Sequence, residues 1–212
     1  MTCPICNKRK AKRFCPAKGV NICSVCCGTE REVTIDCPAD CTYLMASRRN
    51  DAERQEIDWS KVPFSDTRIP SSFVAANEKL ILAISYAICA NARENSALVD
   101  ADVVASLKSL AEAYRTLSSG LYYENPPEYL VQRQLYDKIK VALEDFRKTP
   151  QQGVTDTNVR DSDIRDVLIF LTQLGTLRSN SRPKGRPFLD FLRSQFKQEE
   201  FGRPAANLVV LP

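Results

Sequence analysis

The sequence predicts a mainly α-helical protein, in which a small all-cysteine two-zinc finger module precedes an antiparallel bundle of four to five helices. Three observations predict it. Eight of the nine cysteines fall within the first 41 residues. From residue 71 onward apolar residues recur at three- and four-residue spacing, the period of a helix with one buried face. The connections between these stretches are short, which favours antiparallel neighbours. The 212 residues, 43% hydrophobic and 26% charged, have the balance of an ordinary folded domain. The reading divides them into a cysteine-rich module with a closing helix (1–55), a linker (56–70) and a helical domain with a short apolar tail (71–212).

The cysteines are spaced Cys3-x2-Cys6-x8-Cys15-x7-Cys23-x2-Cys26-Cys27-x9-Cys37-x3-Cys41. A Cys-x2-Cys pair forms a tight knuckle with both sulfurs aimed at one metal, and a zinc ion takes four such ligands in a tetrahedron. Eight thiolates fill two sites. Crossed pairing gives the first ion Cys3, Cys6, Cys23 and one of Cys26 or Cys27. The second takes Cys15, the other member of the doublet, Cys37 and Cys41. Adjacent cysteines strain a single tetrahedron but can serve two neighbouring ions, and spacing alone does not assign them. With all positions thiolate, no coordination site is open to water, so both ions are read as structural. A block of about 40 residues holds too little core to fold unaided, and metal supplies the stabilisation.

The block resembles the cross-braced zinc fingers of the HIT, MYND and B-box kinds over residues 3–41. Cys3-x2-Cys6, Cys15-Pro16, Cys23-Ser24-x-Cys26 and the closing pair Cys37/Cys41 carry the resemblance. Lys18 stands where those families place the second ligand of the knuckle begun at Cys15, and their frequent late histidine is missing, since the chain has none. Cys27 is the candidate replacement ligand. The resemblance implies a module that grips other proteins or, less often, nucleic acid.

The helices follow in order. Thr42 to about Gln55 favours helix, opened by Cys41. Pro63 and Pro70 interrupt the linker, with Trp59 and Phe64 expected to dock it. One long helix is read from Ser71 or Ser72 to about Asn91. Its residues Phe73, Leu80, Ile81, Ile84, Ala87 and Ile88 are joined by Leu82 and Tyr86, making it apolar nearly all round, as the most buried helix should be. Cys89 on it reads as a small buried hydrophobe. Asp100 caps a second helix, with Val103, Leu107, Leu110, Tyr114 and Leu117 inward, ended by Gly120. Asn125-Pro126-Pro127 opens a third, striped by Tyr136, Ile139, Leu143 and Phe146. A polar loop (149–158) leads to a fourth after Asp161, burying Ile164, Val167, Leu168, Leu171 and Leu174. A fifth runs from Pro187 to about Gln198, and the apolar tail Leu208-Val209-Val210-Leu211-Pro212 is read as an edge strand or a groove filler.

The net charge of +4 is uneven. Residues 1–50 hold nine Lys/Arg and four Asp/Glu, and the remainder is nearly balanced. Lys8, Arg9, Lys10, Lys12 and Arg13 crowd the loop between Cys6 and Cys15, beside Phe14. They read as a solvated face, a protein contact or a phosphate grip. Arg178, Arg182, Lys184 and Arg186 form a second basic stretch, read as a solvated turn or an anion site.

The absence of histidine removes imidazole-based acid–base catalysis and triads, and no GxxxxGK phosphate loop is present. Asp161 and Asp163 read as helix-start carboxylates, and Tyr122-Tyr123-Glu124 as a wedge at a turn. No apolar run reaches the roughly 18 residues of a membrane span, and the opening residues lack a secretory pattern. The expectation is a cytoplasmic, non-enzymatic adaptor with two structural zinc ions and a protein partner, with a homodimer as one form of that contact. A nucleic-acid-binding protein led by residues 8–13 is the alternative.

Overall fold

A computed structural model describes residues 1–54, 58–118, 120, 123–148 and 159–197. A two-stranded antiparallel hairpin, β1 (Arg13–Cys15) and β2 (Val20–Ile22), is followed by helices α1 (Ser24–Glu30) and α2 (Thr42–Arg54). A 3-10 turn (Trp59–Lys61) leads to α3 (Ser71–Ala76), α4 (Glu78–Glu94), α5 (Asp100–Ser118), α6 (Leu130–Lys148), α7 (Asp161–Arg178) and α8 (Pro187–Arg193). The protein is mainly helical, with its one described sheet in the cysteine-rich end. None of the described helices is long and apolar enough to cross a membrane.

The helical core takes the side chains that the spacing assigns inward. Leu80, Ile84 and Ile88 meet Val103, Leu107 and Leu110 of α5, Tyr136, Ile139 and Leu143 of α6, and Ile164, Val167, Leu168 and Leu171 of α7. Cys89 is fully buried among them. Among the described residues, α5 and α7 make the most extensive helix–helix contact. Gly175 explains part of that approach, because a Cβ there would lie 2.8 Å from the Phe188 ring and 2.9 Å from Val104.

Several expectations change. The long helix read from residue 71 is two helices. At Asn77 the backbone leaves helical geometry (φ −107°, ψ 18°), and both its amide and its side-chain nitrogen donate to the Phe73 carbonyl, closing α3. Nor is α4 buried all round: Leu82 and Tyr86 are exposed on its outer side. The third helix starts at Leu130, past the two prolines, since a residue that precedes proline is pushed out of helical geometry. The 3-10 turn leaves Trp59 61% exposed, whereas Phe64 packs against the core as expected. Helix α8 ends at Arg193. The loop 149–158, Tyr122 and the tail 208–212 lie outside the described residues.

Asp100 has a different task from the one read for it. It is 1% exposed, and its two carboxylate oxygens accept the Phe188 and Leu189 amides at 2.9 and 3.0 Å. It therefore caps α8, 87 residues downstream, and satisfies amides that no turn of that helix can reach. Burial pushes its carboxyl up to about 7, against the two amide bonds that favour ionisation.

Candidate metal centre

The cysteine-rich end has a small core of its own. Cys3, Cys15, Ile22, Cys23, Cys26 and Ile35 are buried together, with Ile5, Cys6, Ala11, Cys27 and Cys37 packed around them. The first knuckle turns at Asn7, whose positive φ of 52° lets its amide return to the Cys3 carbonyl at 2.8 Å. The second is the start of α1, where Cys23 is the N-cap and its sulfur accepts the Cys26 amide at 3.3 Å. The hairpin between them, registered Arg13↔Ile22, Phe14↔Asn21 and Cys15↔Val20, brings the knuckles face to face.

As a result, the sulfurs of Cys3, Cys6, Cys23 and Cys26 all lie within 4.8 Å of one another. Cys6 and Cys23 are 3.9 Å apart. A tetrahedral ion with metal–sulfur bonds of ~2.3 Å would hold its sulfurs about 3.8 Å apart. The donor set and its spacing fit one metal ion. This also separates the doublet: Cys26 belongs to this foursome, while Cys27 projects elsewhere and receives the Arg31 guanidinium at 3.7 Å.

The thiols are poised unequally. At Cys3 burial works to raise the value, but backbone bonds from Cys23, Cys6 and Ile5 outweigh it and the net shift is downward. The Lys8 and Arg9 amides hold Cys6 down to about 6. Burial, with the neighbouring thiols, pushes Cys26 up to about 12. Four clustered thiolates repel one another, and a divalent cation at their centre is what would let all four ionise together.

The remaining cysteines are placed more loosely. Cys15 is buried, and Cys27, Cys37 and Cys41 are half-buried. Burial raises the Cys37 thiol, reinforced by the charges of Cys41, Cys15 and Glu32 and opposed by a backbone bond at Glu32. Cys41 sits immediately before α2, as read from the sequence, with its carbonyl accepting the Leu44 and Met45 amides. Among the described residues, the Cys3–Cys6–Cys23–Cys26 set is the one group whose ligand atoms close to metal-binding distance.

Comparison of the chain with protein families, curated proteins and solved structures finds no match.

The two basic stretches have different destinations. Lys8, Arg9, Lys10 and Lys12 are exposed, while Arg13 lies 4.7 Å over the Tyr43 ring of α2. In the second stretch Arg182, Lys184 and Arg186 face into a seam between the finger and the helical body, while Arg178 is exposed. Arg182 donates to the Arg31 carbonyl at 2.6 Å and the Gly28 carbonyl at 3.3 Å. Lys184 reaches the Thr34 carbonyl with its ammonium and the Glu32 carbonyl with its amide. Arg186 pairs with Asp36 and also binds the Ser96 and Leu98 carbonyls. Arg178 stacks 3.9 Å over Phe191. Arg182, Lys184 and Arg186 thus meet carbonyls and a carboxylate of their own chain, a use that the sequence reading did not include.

Glu32 is the residue the sequence reading missed. It is 2% exposed, and its oxygens accept Arg48 and Asn180, each at 2.7 Å. Arg48 holds Asp190 with its other nitrogen at 2.7 Å. One buried carboxylate thus joins the finger, α2 and the loop before α8. Its only sequence signal is an acid set among cysteines. Asp161 heads α7 and pairs with Arg147, and Glu124 pairs with Lys140, so both have structural partners.

Proposed function

We propose that the protein is a zinc-stabilised, non-enzymatic adaptor whose finger and helical body together present a protein-binding surface. The observation that carries the reading is the seam. A finger whose carboxylates and carbonyls are held by Arg48, Asn180, Arg182, Lys184 and Arg186 is fixed on the body and carried as one unit with it. A fixed surface binds without the ordering cost of a tethered one. The reading also includes two structural Zn2+ ions: Cys3, Cys6, Cys23 and Cys26 would hold the first, and Cys15, Cys27, Cys37 and Cys41 the second. Thiolate donors favour zinc among common intracellular ions. A groove of about 710 Å³ between α3, α4, α7 and α8 is lined mostly by apolar side chains, with Glu78 its one ionisable residue among the described residues, a lining suited to contact more than to chemistry.

Metal analysis tests the first half. Two zinc ions per chain are expected, falling to one in Cys23→Ser and to one in Cys37→Ser. A wild-type count of one that Cys37→Ser leaves unchanged removes the second site. The adaptor half requires a complex rebuilt from the purified protein and a partner recovered at fixed stoichiometry from its native cell. Binding should be lost when zinc is stripped. A chain that migrates alone from native extract by light scattering, with no complex reconstituted, refutes the reading.

A further inference from the structure

The outer side of the finger carries a row of exposed cations that ends on an exposed aromatic ring. The first 29 residues contain six Lys/Arg and no Asp or Glu. The finger's acids lie elsewhere in the chain and mostly have partners. Glu32 is in the seam, Asp36 pairs with Arg186, and Glu30 accepts the Thr34 hydroxyl at 2.6 Å. Asp40 is exposed beside Cys41. Folding therefore turns Glu32 and Asp36 toward the body and leaves Lys8, Arg9, Lys10 and Lys12 exposed to solvent.

The cations are ordered. From Lys10 to Cys15 exposure alternates: Lys10, Lys12 and Phe14 face out, while Ala11, Arg13 and Cys15 turn in. This is the two-residue period of a strand. It spaces the three outward side chains about 7 Å apart along one line. The line is held in place. The Ala11 amide bonds to the Met1 carbonyl and the Lys12 amide to the Ile22 carbonyl. The backbone at Lys8 and Arg9 is tied to the Cys6 sulfur. Phe14 stays 56% exposed at the end of this row, paired across the hairpin with exposed Asn21. Residues 1–50 carry a formal +5; each Zn2+ with four thiolates adds a formal −2, so the total falls to +3 with the first site filled and +1 with both, and the outward row itself remains cationic.

We propose that this face, Lys8, Arg9, Lys10, Lys12 and Phe14, binds single-stranded nucleic acid without sequence preference, with the cations on successive phosphates and a base stacked on Phe14. The charge of an acidic peptide would satisfy the cations but does not by itself call for a bare aromatic ring in line with them. A flat ring beside a cationic track is the arrangement by which single strands are held, since every base has a stacking face. With the protein contact of the proposed adaptor, this would join a nucleic acid to a protein. The two claims fail separately, because oligonucleotide binding is read with no protein partner present and the reconstituted protein complex with no nucleic acid present.

The test is fluorescence anisotropy of a labelled 12-nucleotide oligo(dT), and of oligo(U), with the zinc-loaded full chain. With three to four phosphates neutralised, the log–log salt slope is about −2 to −3, so affinity falls about 20- to 50-fold between 50 and 200 mM salt. Lys8→Ala/Lys10→Ala/Lys12→Ala should abolish most binding and flatten that slope. Phe14→Ala should weaken binding at least about fivefold with the slope unchanged, and Lys79→Ala on α4 should change nothing. Each variant is checked for its wild-type zinc content and circular dichroism. Photocrosslinking of a 4-thiothymidine oligonucleotide to the wild-type protein gives a readout free of variants, and its adducts should map to residues 8–21. Adducts confined to the helical body, full affinity in Phe14→Ala, or displacement by polyglutamate as effective as by unlabelled oligonucleotide each overturn the proposal, the last by marking an acidic protein as the ligand.

Discussion

Replacing Glu32 with alanine is the sharpest probe of how the finger is held. The backbone there has φ 52°, a left-handed geometry that alanine tolerates no better than glutamate. The substitution therefore keeps the local strain and removes only the side chain. Two bonds of 2.7 Å vanish, one from Arg48 and one from Asn180. A hydrogen bond to a charged group contributes about 1.5–3 kcal/mol, and breaking a wholly buried ion pair costs about 3–5 kcal/mol. The Arg48 side chain is 21% exposed and keeps its bond to Asp190, so the cost belongs below that ceiling. A loss of about 2–3 kcal/mol is expected, or a urea midpoint lowered by about 1–1.5 M for a slope near 2 kcal/mol/M.

The assay is urea unfolding with zinc in excess, followed by circular dichroism and paired with hydrogen exchange read by mass spectrometry. Amides in residues 28–36 and 180–186 should exchange faster, because both sides of the seam lose the same tether. Glu32→Gln should recover less than half the loss, since its amide turns a donor toward Arg48 or Asn180. The double variant with Asn180→Ala should fall short of additivity, as groups in one network do. A change under about 0.5 kcal/mol, with exchange in both segments untouched, refutes the account of the seam.

Three further outcomes follow from single residues. After chelation, eight thiols should react with Ellman's reagent and the ninth only in denaturant, because Cys89 is fully buried and burial pushes its thiol up to about 12; nine reactive thiols under native conditions would contradict this. Gly175→Ala should destabilise by about 1–3 kcal/mol through overpacking against Phe188 and Val104, despite the better helix propensity of alanine; a rise in melting temperature would contradict it. Asp100 has its carboxyl raised from 3.8 to about 7, so its neutral form favours folding, and that contribution is complete below pH 3.8 and drains away as pH rises to about 7. Between those limits wild-type stability should fall, relative to Asp100→Asn, by at most about 1.4 kcal/mol per pH unit, and parallel curves for the two proteins would refute it.

How much of this could be read in advance depended on the range of the interaction. The stripes Val103–Leu107–Leu110 and Ile164–Val167–Leu168–Leu171 are local, and their helices stand where the spacing puts them. Cys3, Cys6 and Cys23 were likewise legible, because a knuckle is a local turn. Cys26 against Cys27 was not, since one helical step decides which sulfur faces the first foursome and only the folded α1 shows it. The break at Asn77 turns on a side chain that donates to a backbone carbonyl four residues earlier, a competition that apolar periodicity does not register. Arg182, Lys184 and Arg186 looked like solvated charge because their acceptors lie about 150 residues away. Glu32 and Asp100 were hidden for the same reason: each is a buried acid whose partners come from distant elements.

The seam also bounds how far metal loss can be felt. The finger's buried core is six residues, four of them cysteines, too small to hold its shape once the ion is gone. Gly28 and Arg31, whose carbonyls hold Arg182, follow Cys26 closely. A collapsing first foursome must therefore disturb the loop at residues 180–186. Beyond that loop the disturbance meets Asp100, which fixes the Phe188 and Leu189 amides from the body side, and Phe188 itself, seated against Gly175. Helix α8 has anchors that owe nothing to the finger. Stripping the metal should thus quicken exchange through residue 186 and leave the amides of Phe188 and Leu189 protected. If protection at those two amides collapses together with the loop, the finger and the body form one cooperative unit and the seam is no boundary.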